Sequence, residues 1–167
     1  MVYIPNEPYL FRSGKYQGKS VSQIAINNFP WLKYLFGKMN EVGKSRNKNQ
    51  LHVHLEWLMR KISKTGPKMI CPVCKKNPVK FISVLGNNKY GYSISEGFTC
   101  CEDQECRERL KGLTLGRNNF FIPANFSSVS TFRNKTDQGR MINLLKKIYG
   151  LEGKLTKEKA FKFFMEG

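Results

Sequence analysis

The chain has 167 residues, with 29 Lys and Arg against 12 Asp and Glu, giving a formal net charge of +17 at pH 7. This length corresponds to about one to one and a half typical domains, and a hydrophobic content of 40% excludes a disordered chain. No apolar run reaches the roughly 18 residues of a membrane span, and the polar N-terminal stretch does not resemble a secretory signal peptide. We therefore expect a globular cytoplasmic protein without membrane association.

The positive charge is spread along the whole chain. Residues 1–66 carry a net charge of +8, residues 67–112 of +3 and residues 113–167 of +6. This surplus favours a polyanionic partner, and nucleic acid is the usual one, because side chains that neutralise phosphates release condensed counterions. An inert basic surface, a ribosome-like contact or a lipid head-group contact would give a similar composition. A broad basic face on a folded body fits the distribution better than a basic arm.

Residues 1–66 predict a small helical module followed by a long helix. Ser20 can cap a short helix, and Pro30 suits the first turn of a second one. Leucines at helical spacing predict the long helix at about residues 48–63. Gly66-Pro67 ends this segment and marks a boundary.

Residues 67–112 form a second segment, which holds all the cysteines. Two strand-like runs, residues 79–85 and 92–99, flank a Gly- and Asn-rich loop and predict a β-hairpin. Residues 113–167 form a third segment that begins irregular, basic and aromatic. Two short helices are expected in it, at residues 137–149 and 156–165, with Asp137 and Thr156 as candidate N-caps.

The five cysteines form a Cys71-Pro-Val-Cys74 pair and a second group of Cys100, Cys101 and Cys106. In a reducing compartment disulfides are disfavoured, whereas two thiolate pairs separated by a hairpin suit a tetrahedral Zn²⁺ site. We favour Cys101 over Cys100 as the third ligand, so that Cys100 packs inward, and both choices stay open. A redox pair or buried free thiols are the other interpretation. Four thiolates leave no open metal position, which indicates a structural role.

The cysteine spacing over residues 71–106 resembles the zinc ribbons of topoisomerase tails and of phage late-transcription activators of the Ogr/Delta kind. Both families bind nucleic acid, so the resemblance implies the same here. The helix expected after Cys106 would also suit a treble-clef arrangement. The predicted fold is α+β, with a small helical module, a four-cysteine zinc ribbon built on a β-hairpin, and a helical C-terminal region.

A second motif lies near the N-terminus, where Phe11-Arg-Ser-Gly-Lys-Tyr-Gln-Gly-Lys19 is followed by Phe29-Pro-Trp-Leu-Lys-Tyr-Leu35. The two strings resemble the small GKYKG module at the C-terminus of exodeoxyribonuclease X-like proteins. The likeness covers about residues 9–39 and departs from the family pattern at the inserted Arg12-Ser13. It implies an accessory nucleic-acid-binding role. A small hydrophobic mini-domain with solvated lysines is the simpler interpretation.

Simple physical expectations accompany this motif. Tyr16 and Trp31 can pack over one another and leave the neighbouring lysines on an exposed loop edge. Only three residues separate Gly14 from Gly18, so the string is not the phosphate-binding loop of nucleotide-hydrolysing enzymes.

The candidate nucleic-acid contacts are basic side chains in predicted loops, beside the cysteines and in the third segment. They are Lys15, Lys19, Lys44, Arg46, Lys48, Lys75, Lys76, Arg107, Arg109, Arg117, Arg133 and Lys135.

Catalysis is not expected. The one dense acidic cluster, residues 102–108, overlaps the second cysteine pair, and its simplest role there is to cap the start of a helix. His52 and His54 diverge by about 200° on a helix and cannot clasp one metal from one face. Each is expected at the surface or partly buried.

The sequence therefore predicts a non-catalytic, zinc-containing nucleic-acid-binding protein that acts as a subunit or accessory factor of a larger complex. DNA is favoured over RNA, and protein partners are expected. Four alternatives remain open at this stage. They are a phage or mobile-element transcription regulator, a small subunit of an RNA-guided CRISPR-type complex, a metal-dependent nuclease, and a protein–protein adaptor.

Overall fold

The structure, a computed structural model, describes residues 4–42, 49–87, 91–93, 98–113 and 119–167. The chain divides into two compact units, one of Met1–Thr65 with Gly153–Gly167 and the other of Gly66–Glu152. Helices and an antiparallel sheet are both present, which confirms the α+β class. Among the helices described, none combines the length and apolar character needed to cross a bilayer.

The first unit contains four helices. They are α1 (Val21–Asn27), α2 (Phe29–Val42), α3 (Gln50–Lys64) and α6 (Lys157–Glu166). Ser20 caps α1 as predicted: its hydroxyl accepts from the Gln23 amide at 3.1 Å, and the Gln23 side chain accepts from the Ser20 amide at 2.9 Å. This reciprocal pair is a capping box. In α3 the cap is Asn49, whose side chain accepts from the His52 amide at 2.9 Å.

The core of the first unit forms where α1 packs against α2, α3 and α6, and where α3 packs against α6. Each helix contributes an apolar face, because residues three or four apart lie on the same side. The fully buried side chains of this core include Ala25, Ile26, Leu32, Leu55, Leu58 and Phe164.

The N-terminal glycine motif forms a closed loop ahead of α1. The Phe11 amide donates to the Lys19 carbonyl at 3.0 Å, and the Gly18 amide donates back to the Phe11 carbonyl at 2.9 Å. Gly18 has a φ of +75°, in the left-handed region that glycine adopts without strain. The rings of Tyr16 and Trp31 lie 4.4 Å apart between centroids, which confirms their expected packing.

The second unit is organised around an antiparallel sheet. Its strands are β1 (Phe81–Asn87), β2 (Gly91–Ser93), β3 (Thr99–Cys100) and β4 (Asn119–Pro123). β1 pairs with all three others, and Leu85 lies opposite both Ser93 and Asn119, so β2 and β4 flank opposite edges of β1. The predicted hairpin is present as the β1–β2 pair. The expectation of irregular structure at residues 119–123 is wrong, because this segment pairs with β1 as β4.

Two helices and a short 3-10 helix complete the second unit. They are α4 (Gln104–Leu113), the 3-10 helix Phe126–Thr131, and α5 (Lys135–Ile148). Asn134 caps α5 by accepting from the Asp137 amide at 2.7 Å, which starts the helix two residues earlier than predicted. The buried Tyr149 hydroxyl donates to the Ala124 carbonyl at 2.8 Å.

Candidate metal centre

The first cysteine pair lies in a tight turn closed by backbone hydrogen bonds. The Cys71 amide donates to the Asn77 carbonyl at 2.8 Å, and the Lys75 amide donates to the Cys71 carbonyl at 2.8 Å. Lys75 has a φ of +56°, the left-handed conformation that reverses the chain after Cys74. An isolated bridge between Ile70 and Pro78 holds the base of the turn.

The second pair lies where β3 ends and α4 begins. Cys101 directly follows β3, and Cys106 lies in the first turn of α4. Asp103 stabilises the start of this helix by accepting from the Glu105 amide at 2.9 Å. Successive side chains of an extended strand alternate between its two faces. The side chains of Cys100 and Cys101 therefore point in opposite directions from the chain.

Four sulfur atoms converge. The Sγ atoms of Cys71, Cys74, Cys101 and Cys106 all lie within 4.8 Å of one another, and those of Cys74 and Cys101 are 3.8 Å apart. Four Zn–S bonds of about 2.3 Å in a tetrahedron require sulfur–sulfur separations of about 3.8 Å. The group includes Cys101 and not Cys100, and its geometry could hold a metal ion.

The four thiols differ in their electrostatic surroundings. The backbone amides of Asn77 and Lys76 donate to the Cys74 sulfur and lower the pKa of this thiol from 9.0 to about 6. Burial raises the pKa of Cys106, reinforced by the neighbouring cysteines, and burial also raises that of Cys101. Backbone donors therefore favour the thiolate form of Cys74, whereas the thiolate forms of Cys101 and Cys106 need a cation beside them.

Apolar side chains surround the sulfur cluster. The buried residues packed together here are Cys71, Cys100, Cys101, Cys106 and Leu110, with Val73, Phe81, Phe98 and Phe121 packed against them. Burial, together with the charges of neighbouring cysteines, raises the pKa of Cys100 to about 12. Cys100 is therefore a neutral packing residue behind the cluster, as expected for the cysteine that is not a ligand.

The predicted nucleic-acid contacts lie in both units. Those with exposed side chains are Lys15 and Lys19 in the first unit and Lys75, Lys76, Arg109, Arg133 and Lys135 in the second. Arg107 is half-buried with its guanidinium 5.5 Å from the centre of the Phe81 ring. Arg109 pairs with Glu105 at 2.8 Å. Lys44, Arg46, Lys48 and Arg117 lie outside the described residues.

The two histidines are buried in the first unit, with exposed fractions of 4% for His52 and 3% for His54. The expectation of surface or partly buried residues is wrong for both. The His54 ring nitrogens lie 3.2 Å from the Glu7 carbonyl oxygen and 3.3 Å from the Gln50 carbonyl oxygen. The covering segment near Glu7 lies far from α3 in sequence, so no local pattern signalled this burial.

The sequence also did not reveal the backbone donors to Cys74 or the cleft beside His54 that is described below. The Lys-Lys-Asn run after Cys74 was the available signal for the donors, since a left-handed residue there turns successive amides toward the preceding sulfur.

No protein-family model, no curated protein and no solved structure matches this chain. The functional interpretation consequently depends on the geometry and charge of its own residues.

Proposed function

We propose that the four cysteines hold a structural Zn²⁺ ion and that the protein is a zinc-containing nucleic-acid-binding factor. The observation that carries the zinc proposal is the convergence of four Sγ atoms within 4.8 Å. Thiolates are preferred zinc ligands, and four of them fill the tetrahedron and leave no position for a substrate. The ion would join the Cys71–Cys74 turn, the end of β3 and the first turn of α4.

Charge near the cluster supports this assignment. Four thiolates exceed the charge of Zn²⁺ by two, and cations offset this excess. Lys75 and Lys76 directly follow Cys74, and Arg107 follows Cys106. The Arg107 charge acts to lower the pKa of Cys100, which is consistent with a guanidinium near the thiols.

The hairpin between the two cysteine pairs supports a ribbon-like arrangement of this centre. β1 and β2 pair in antiparallel register between Cys74 and Cys101. In the first unit, the closed glycine loop and the contact between Tyr16 and Trp31 support a GKY-type module.

Nucleic acid is the proposed partner because of the charge. The net charge is +17, and exposed candidate cations occur in both units. We propose DNA ahead of RNA, and a non-catalytic role within a larger complex. The acids near the cysteines have local roles: Asp103 caps α4, and Glu105 pairs with Arg109.

The test combines metal analysis with binding. Purified protein should contain one zinc per chain and should bind labelled single- or double-stranded DNA or RNA at low ionic strength. The Cys71→Ser variant should lose zinc and order in the second unit, because structural zinc stabilises its ligand-bearing segments. Metal-free protein that is fully folded would refute the zinc proposal. Failure to bind every oligonucleotide would refute the nucleic-acid proposal.

A further inference from the structure

A cleft of about 340 Å³ opens in the first unit, between the N-terminal extended segment and the start of α3. Its lining includes Glu7, Tyr9, Leu10, Arg12, Gln50 and His54. Neither the metal centre nor the predicted basic contacts account for it. Its volume suits a ligand of the size of a nucleobase with its sugar.

The chemistry of the lining suits an uncharged, flat, polar ligand. Glu7 and Arg12 contribute opposite charges that cancel. The nitrogens of His54 both lie against backbone carbonyl oxygens, so the hydrogen-bonding atoms of this ring are engaged within the protein where it lines the cleft. The Tyr9 ring lies 5.5 Å from the His54 ring, and the Gln50 amide can both donate and accept. A lone phosphate would meet an acid here, whereas a nucleobase would meet aromatic surface and polar groups.

Aromatic rings and cations continue from the cleft along the glycine loop. Tyr9 contacts Phe11 at 6.3 Å, and Phe11 contacts Trp31 at 5.6 Å between ring centroids. The Lys15 ammonium lies 5.4 Å from the centre of the Tyr16 ring. Residues 10–20 contain three cations and no acidic side chain. A phosphodiester chain that leaves the cleft along this loop would meet complementary charge.

From these observations we infer that the cleft binds an unpaired nucleobase of a single strand, and that Lys15 and Lys19 hold the adjoining phosphates. The inference rests on the proposed nucleic-acid function and specifies its ligand. Bases within a duplex expose only their groove edges, so their faces and pairing edges are not available to such a cleft. Unpaired bases stack on aromatic side chains and offer their edges for hydrogen bonding.

The first experiment compares oligothymidine with an abasic strand of the same length and phosphate number. The wild-type protein should bind the base-bearing strand about fivefold or more tightly, since stacking on an aromatic side chain contributes at least that factor per base. In Tyr9→Leu, which removes the ring and keeps apolar volume, this preference should fall toward unity. The exposed Arg60 on α3 provides a control for changes in surface charge: Arg60→Ala removes a cation outside the cleft and should keep the preference.

Equal binding of both strands by the wild-type protein would overturn the cleft inference and leave the nucleic-acid proposal standing. Binding of neither strand, nor of any other oligonucleotide, would overturn both.

A second experiment locates the base without a variant. Iodouracil in the strand should cross-link on irradiation to the peptide that contains Tyr9 and Phe11. Cross-linking confined to second-unit peptides such as the one with Phe121 would place the base elsewhere and overturn the inference. Cross-linking uses the wild-type protein, so it tests the inference even if the Tyr9→Leu variant does not fold.

Discussion

Cys74 differs from the other sulfurs of the cluster, because two backbone amides donate to it and lower its pKa to about 6. It is therefore ionised at neutral pH before a metal arrives. Cys101 and Cys106 have raised pKa values because they are buried. Binding of a metal ion would therefore have to remove the protons of Cys101 and Cys106, whereas Cys74 needs no such step at neutral pH.

Zinc affinity should therefore depend on pH. At neutral pH the ion must displace protons from Cys101 and Cys106, so affinity should fall as pH is lowered. Below about 6 the Cys74 thiol is also protonated, and the fall should steepen by about a further tenfold per pH unit. Competition with a chelator, corrected for the chelator's own protonation, measures this. An affinity independent of pH would contradict the assigned thiol states.

Cys74 lies inside the four-sulfur cluster and Cys100 lies outside it, so the two provide a matched pair of variants. Cys74→Ser removes a ligand and should reduce bound zinc well below one equivalent. Cys100→Ala removes a buried sulfur that lies outside the four-sulfur group and should retain one equivalent, with a modest loss of stability. Metal content after dialysis distinguishes them. Loss of zinc from Cys100→Ala with retention in Cys74→Ser would show that the cluster is wrongly assigned.

At this scale the spacing of the cysteines predicts the four that converge, because the four residues between Cys101 and Cys106 favour Cys101 over Cys100 as the partner of Cys106. The burial of His54 was not predictable in this way. It depends on contact with Glu7, which lies in a distant segment, and periodicity within α3 carries no information about that neighbour.

Among the elements, local signals located helices better than strands. Ser20 and Thr156 are predictable as caps because Ser and Thr side chains favour this position, and the structure places α1 and α6 directly after them. The predicted cap Asp137 is not the one observed, because Asn134 caps α5 and Asn is an equally good cap residue. β4 was missed because its order comes from pairing with β1, a contact between segments remote in sequence.

Removal of zinc should loosen particular elements. Because the ligands lie in the Cys71–Cys74 turn, after β3 and in α4, chelation should increase amide hydrogen exchange over residues 71–110. The helices α1, α2 and α3 carry no ligand and should exchange as before. Both tryptophans belong to the first unit, so their fluorescence is an internal control. Unchanged exchange over residues 71–110 would contradict a structural role for the metal.

For the molecule as a whole, the proposal of a nucleic-acid partner comes from composition and not from the fold. An excess of 29 basic over 12 acidic side chains is a property of the sequence, and the structure adds that exposed candidate cations occur in both units. The α+β class was predictable from the alternation of helical and strand-like runs. The division into two units is harder to predict from the sequence, because α6 belongs to the first unit although the whole second unit separates it from α3 along the chain.

The proposed function requires the zinc-loaded, positively charged protein to bind nucleic acid through its phosphates. The most direct test is the affinity of the zinc-loaded protein for a single-stranded oligonucleotide across a series of salt concentrations. We expect the logarithm of the association constant to fall linearly with the logarithm of salt concentration, with a slope of about −3 or steeper, as displacement of counterions from roughly four phosphates requires. Affinity that is absent at low salt, or unchanged by salt, would contradict the claim.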